Sequence, residues 1–228
     1  MTEQAVSAIE NADVVIGYIT YIDILKPLFP NQNYIPSSMR RETERCKIAA
    51  EEALKGQRVA LVSSGDSGIY GMSGIMLEVA DRMNADIEIE AVPGVTAASA
   101  AAALLGAPLM NDFAVISLSD LMTPIDLIYK RIELAALADF VICLYNPKSK
   151  LRTEHIGKAA ELIMKSRPKS TPVGIVRNAG RCDCAVWTTT LEKLGDEPID
   201  MLCTVIIGNS ESYIKNGKMI TPRGYLIK

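Results

Sequence analysis

Four turns along the chain gather the residue types that hold and orient a small polar ligand. The first is Ser63-Ser64-Gly65-Asp66-Ser67-Gly68-Ile69-Tyr70-Gly71. Its glycines let the backbone approach a ligand closely, and Asp66 offers a carboxylate at the rim, suited to an amino group or ribose hydroxyls. Asp66 reads equally well as a cap for the helix that follows. The spacing is neither the Gly-Lys-Ser/Thr ending of a phosphate loop nor Gly-x-Gly-x-x-Gly, which disfavours phosphate and nicotinamide ligands. The second turn, Pro93-Gly94-Val95-Thr96-Ala97, opens an alanine-rich run. Thr96 and the amides around Ala97 suit a carboxylate or an adenine edge, while the alanines favour close helix packing and Thr96 is also a good helix cap. The other two turns are Leu144-Tyr145-Asn146-Pro147 and Val176-Arg177-Asn178-Ala179-Gly180-Arg181. An Asn side chain both donates and accepts, which fits a purine edge, and Arg177 and Arg181 are candidates to pair with substrate carboxylates. Ordinary turns also hold Asn and surface Arg with no ligand.

Further basic residues, Arg40 and Arg41, begin a charged stretch that is either a solvated helix start or a lip for an acidic substrate. Metal chemistry has little to build on. The five cysteines are scattered, Cys182-Asp183-Cys184 is tighter than the usual zinc spacing, and His155 is the only histidine. His155 falls within a helix expected over Thr153 to Met164, away from the four turns, and reads as a surface residue. A net charge of −3 with 22% charged residues argues against bulk nucleic-acid binding, yet leaves room for basic side chains collected in one place. No apolar run approaches the roughly 20 residues of a membrane span. The start, Met1-Thr2-Glu3-Gln4, lacks the pattern of a signal peptide. Unpaired thiols in such a chain point to the cytoplasm.

The elements that must position these turns alternate in type. Apolar runs at Val14–Ile16, Arg58–Ser63, Ile87–Ala91, Phe113–Leu118, Phe140–Leu144 and Val173–Val176 read as strands. Helical stretches lie between them, at Glu42–Leu54 (with Gly56 placed to end it), Met72–Met83, Thr96–Leu105, Pro124–Ala136 and Thr153–Met164. Each ligand turn therefore leaves the end of a strand, where crevices form in parallel sheets. Toward the end, Cys182–Thr189, Cys203–Ile207 and Lys218–Ile220 look like strands with little helix between them, hence antiparallel. The break Gly106-Ala107-Pro108-Leu109-Met110-Asn111-Asp112 marks the expected domain junction, giving residues 1–109 and 110–228.

Six segments in this order resemble the tetrapyrrole methylase family: ADVVIGYITYID, SSGDSGIYGM, VPGVTAASAAAALLGAPLMNDFAVISLSDLMTP, ICLYNPKSKLR, VGIVRNAGR and TVIIGNSES. The glycine–aspartate loop and PGVTAAS carry the superfamily likeness. SLSDLMTP, YNPKSKLR and RNAGR are similar to the branch that methylates carbon 17 of precorrin-3B or cobalt-factor III with ring contraction, in cobalamin biosynthesis. The resemblance implies an α/β fold of two domains, the first rich in parallel strands and the second with a mixed sheet. It also implies S-adenosylmethionine as cofactor in a cleft between the domains, an acidic tetrapyrrole as substrate, no metal, and a homodimer.

By position the family pattern puts Gly65, Asp66, Gly68, Ile69, Thr96, Ala97, Tyr145, Asn146, Asn178, Ala179 and Cys203 or Thr204 around the cofactor. Arg40, Arg41, Arg177 and Arg181 fall to the substrate, and Asp66, Tyr70 and Tyr145 to proton movement, with Asp120 a further candidate. The transfer itself is an in-line displacement for which alignment and exclusion of water suffice. Family members open with a strand and a Gly-x-Gly-Pro-Gly loop. This sequence starts beyond that point, so the resemblance implies that the first strand is absent, either because the start is placed too late or because the chain is a truncated relative; in the second case strand edges are left unpaired. Another corrin methylase of the same family, or an inactive relative that only binds S-adenosylmethionine, are the alternatives.

Overall fold

The computed structural model describes residues 1–226. The chain divides into two compact units, Met1–Thr96 and the remainder from Ala97 onward.

In the first unit, α1 (Glu3–Glu10) leads into β1 (Val14–Tyr18), α2 (Ile19–Leu25), β2 (Tyr34–Ser37), α3 (Glu42–Leu54), β3 (Val59–Val62) and α4 (Ser73–Met83). The three strands are parallel in the order β2-β1-β3. Val14, Val15 and Ile16 are all fully buried, as a central strand covered on both faces requires. Cys46, Ala49 and Ala50 of α3, spaced to share one helix face, pack with Met76, Val79 and Ala80 of α4 on Val14 and Ile16. Ile9, Ile22, Leu25 and Phe29 cover Val15 from the other side. Glu42 and Glu44 occupy the first turn of α3, where they suit the positive end of its dipole, and Gly56 follows its end at φ +86°.

The strand expected at Ile87–Ala91 is not formed. The alternation is present: Ile87 and Ile89 pack on the α3–α4 core while Glu88 and Glu90 are exposed. Among the described residues, however, no ladder pairs this segment, and β3 ends its sheet with all four residues only half-buried. A period-2 pattern makes a strand only where a neighbouring edge supplies hydrogen bonds. Sequence patterning also missed α1, α2 and β2, which are short.

The second unit begins with α5 (Ala97–Leu105) and β4 (Gly106–Ala107). There follow β5 (Phe113–Ser117), α6 (Ile125–Leu137), β6 (Val141–Tyr145), α7 (His155–Ile163), β7 (Pro172–Arg177), β8 (Ala185–Thr190), a 3-10 turn (Leu191–Asp196), β9 (Cys203–Ile207), β10 (Tyr213–Lys215) and β11 (Lys218–Ile220). Five strands form one sheet in the order β5-β6-β9-β7-β8. Only the β5–β6 pairing is parallel and the other three are antiparallel, so the mixed character expected from the tail is present. Strand alternation divides the core. Ile142, Leu144, Val173, Ile175, Val205 and Ile207 meet α6 and α7 on one face, and Cys143, Val176 and Ile206 meet α5 on the other.

That second face explains why the structural division falls earlier than residues 1–109 and 110–228. Helix α5 buries Ala98, Ala101 and Leu105 against this sheet, so the Gly106–Asp112 break lies inside the second unit. A Cβ at Gly174 would stand 2.5 Å from Leu105, so the glycine sets how closely α5 approaches β7.

Candidate active site

In the first unit, the turn after β3 folds onto the segment before Thr96. Asp66 holds the two together. One carboxylate oxygen accepts the N–H of Gly68 and the other that of Gly94, both at 2.8 Å. Ser67 adds a bond from its hydroxyl to the Val92 carbonyl. These amide donors, Gly94 first and then Gly68, hold the Asp66 carboxyl below the usual carboxylate range. Asp66 therefore caps a turn rather than a helix and stays charged. Gly94 is obligatory for this approach, because a Cβ there would lie 2.0 Å from the Gly65 carbonyl oxygen. Gly65 itself takes φ +80°, and Tyr70 sits at φ +54°, a left-handed conformation that costs an aromatic residue about 1–2 kcal/mol. Strain of this kind gathers where loops are shaped for a ligand. Ile69 and Tyr70 are exposed beside it. Arg40 and Arg41 lie at the start of α3, both exposed, with Arg41 paired to Glu44 at 2.7 Å. Arg45 closes the charged stretch that begins at Arg40, but it is neither solvated nor on a lip: it is buried and donates to Ser37, the Ser38 carbonyl and the Met72 sulfur, anchoring the far end of the glycine–aspartate turn.

In the second unit, the turns after β5, β6 and β7 carry the candidates. Tyr145 ends β6, and its hydroxyl accepts the N–H of Ala98 at 2.6 Å, serving one open amide at the N-terminus of α5, which Ala97 begins. Asn146 takes φ +51°, tolerable for Asn, and its side-chain amide donates to Ser117 Oγ at 2.9 Å. Asn178 repeats the left-handed geometry at φ +54°, its N–H held by the Leu202 carbonyl, with Ala179 half-buried beside it.

Arg177, expected to meet substrate, is engaged within the protein: its Nε lies 2.8 Å from Asp200, and this hydrogen bond raises its pKa above the ordinary guanidinium value. Burial works against the Asp200 charge, but bonds from Arg177, Leu202 and Cys203 outweigh it and keep that carboxyl below its usual range. Arg181 sits in the same turn. Cys203 and Thr204 are buried in β9, and burial pushes the Cys203 thiol up to about 11.

His155 requires a correction. It is the first residue of α7, and its side chain is only 16% exposed. Its Nδ1 lies 3.2 Å from the Leu118 carbonyl, and its Nε2 lies 3.9 Å from Asp120. Helix periodicity placed the residue but could not show that the turn after β5 folds back over the start of α7. Arg152, 9% exposed, joins the same cluster through bonds to the Leu118 and Asn146 carbonyls and lies 3.6 Å from Asp120.

The first unit offers the backbone groups of the glycine–aspartate turn and the exposed apolar surface of Ile69 and Val95. The second offers two left-handed Asn residues and the N-terminus of α5. Neither set is a phosphate-binding loop, and each suits part of a zwitterionic nucleoside such as S-adenosylmethionine. Residues 1–195 match the family model described as Tetrapyrrole (Corrin/Porphyrin) Methylases. The chain belongs to the tetrapyrrole methylase family.

Among its relatives, a probable cobalt-factor III C(17)-methyltransferase of Salmonella typhimurium is 49% identical over 227 residues, covering 100% of this chain and 94% of that one. A precorrin-3B C(17)-methyltransferase of a Sinorhizobium species is 40% identical, over 99% of this chain and 91% of that one. The crystal structure of the methyltransferase CobJ superposes with a TM-score of 0.91 at 32% identity, over 97% of this chain and 93% of that chain.

Proposed function

We propose that this protein transfers a methyl group from S-adenosylmethionine to carbon 17 of cobalt-factor III or precorrin-3B, with ring contraction, in cobalamin biosynthesis. The observation that supports it most is the 49% identity to the Salmonella relative across the whole chain, with the strand-end turns included. The proposed cofactor residues are Gly65, Asp66, Gly68, Ile69 and Thr96 in the first unit and Ala97, Tyr145, Asn146, Asn178, Ala179, Cys203 and Thr204 in the second. When bound, the cofactor supplies an electrophilic methyl carbon.

The protein's own contribution is positional. Asp66 fixes the two turns of the first unit. Asn146 and Asn178 present their backbone and amide groups from turns that only a left-handed residue allows. Arg40, Arg41 and Arg181 are assigned to the carboxylates of the acidic macrocycle, and Tyr70 and Tyr145 remain candidates for proton movement. Arg177, already paired with Asp200, orders its turn. We assign the protein to the cytoplasm as a homodimer.

Incubating the purified protein with methyl-labelled S-adenosylmethionine and each macrocycle in turn tests the reading. One methyl gained on one of them, located at carbon 17 by NMR, is the expected result. Cofactor binding by calorimetry with no transfer to either macrocycle would overturn it.

A further inference from the structure

The carboxyl ends of β5 and β6 are bound into one surface. The Leu118 N–H donates to the Tyr145 carbonyl at 2.8 Å, and Asn146 donates to Ser117. Arg152 spans both turns, reaching the Leu118 carbonyl at 2.7 Å and the Asn146 carbonyl at 3.4 Å. On this surface lies Asp120, with one oxygen 3.6 Å from Arg152 and the other 3.9 Å from His155 Nε2.

Both distances exceed a direct hydrogen bond, and a contact of this length is one that a water or ligand atom can mediate once the side chains adjust. Asp120 is 36% exposed, whereas Arg152 and His155 are covered, so its carboxylate is the accessible end of the cluster. The imidazole is oriented by its other nitrogen. A carbonyl can only accept, so the contact with Leu118 puts a hydrogen on Nδ1 and turns Nε2 toward Asp120. Tyr129 closes the other side, its ring edge-on at 6.2 Å, with its hydroxyl pushed up from its ordinary value by burial. Lys158 and Glu161 of α7, Asp126 of α6 and Asp120 itself are the charged groups that act on Tyr129 there.

We propose that His155 and Asp120 form a proton-carrying pair for the ring-contraction stage, oriented by Leu118 and Arg152. The proposal rests on the function given above. In it, one proton passes between Nε2 of His155, the Asp120 carboxylate and a substrate oxygen bridging them. Nδ1 keeps its hydrogen on Leu118 throughout, so no co-reactant is needed.

Asn and Gln at position 155 separate the two nitrogens. The Asn amide can replace Nδ1 and keep the Leu118 bond, but it lacks Nε2. Because His155 is the only histidine, its two ring nitrogens can be followed by nitrogen-15 NMR in the whole protein without assignment. The expected spectrum shows Nδ1 carrying hydrogen, with Asp120→Asn altering the Nε2 signal. In turnover, His155→Asn and Asp120→Asn are expected to lower the yield of ring-contracted product about 100-fold, the low end for acid–base catalysis, and to change the shape of the pH–rate profile. S-adenosylmethionine affinity and melting temperature stay as in the parent. Wild-type turnover in His155→Asn, or hydrogen on Nε2 rather than Nδ1, would overturn the pair. If the unmodified protein methylates neither macrocycle, the functional reading fails instead, and the NMR result still stands on its own.

Discussion

Asp66 shows how one side chain can be read as chemistry from its neighbours and as architecture from its bonds. Both oxygens are spent on backbone amides, so it shapes the turn and takes no proton near neutral pH. Its folded pKa is depressed, so its contribution to stability is present above the unfolded carboxyl value of about 3.9 and is lost as pH falls through the lower folded value. Acid unfolding of Asp66→Asn should therefore lose part of its slope below about pH 4. An acid titration followed by circular dichroism that superposes on the parent curve would count against this. Gly94→Ala is the sharper test of the same turn. A methyl group 2.0 Å from the Gly65 oxygen must push the two segments apart, and S-adenosylmethionine affinity by calorimetry should fall at least tenfold. Unchanged affinity would separate this turn from the cofactor.

At the scale of elements, α5 is held on the second sheet by small residues and by one hydroxyl. Tyr145→Phe removes the acceptor for the Ala98 N–H, with an expected cost of about 1 kcal/mol in urea unfolding and a larger relative loss of cofactor affinity. Gly174→Val should cost more, about 1–3 kcal/mol, because the added side chain meets Leu105, the last residue of α5. If Gly174→Val is as stable as the parent, α5 does not pack as described. Neither contact was legible along the chain: the alanines announced a closely packed helix but not the strand beneath it. The Ile87–Ala91 segment teaches the converse. Its alternation does set one face in and one face out, yet strand formation depends on an edge that local sequence does not contain.

Across the whole molecule, the five thiols separate by burial. Cys182 and Cys184 are exposed, while Cys46, Cys143 and Cys203 are buried, and burial pushes these three to about 11, about 12 and about 11. An aromatic disulfide reagent at neutral pH should titrate two thiols in the native protein and five after denaturation; three or more reacting natively would contradict the core as described. Among the described residues no helix is long and apolar enough to cross a membrane. Sequence by itself determined the alternating α/β order, the antiparallel tail, the helix Glu42–Leu54 to the residue, and the strand-end turns with their Gly, Asn and Asp. All of these follow from local periodicity and backbone preference, which neighbouring residues encode. Tertiary structure alone decided that Asp66 serves Gly94, that Arg177 belongs to Asp200, that α5 joins the second unit, and that His155 faces Asp120. Each of these joins residues more than 20 positions apart or depends on which sheet a helix covers, and such pairings are set by packing in three dimensions.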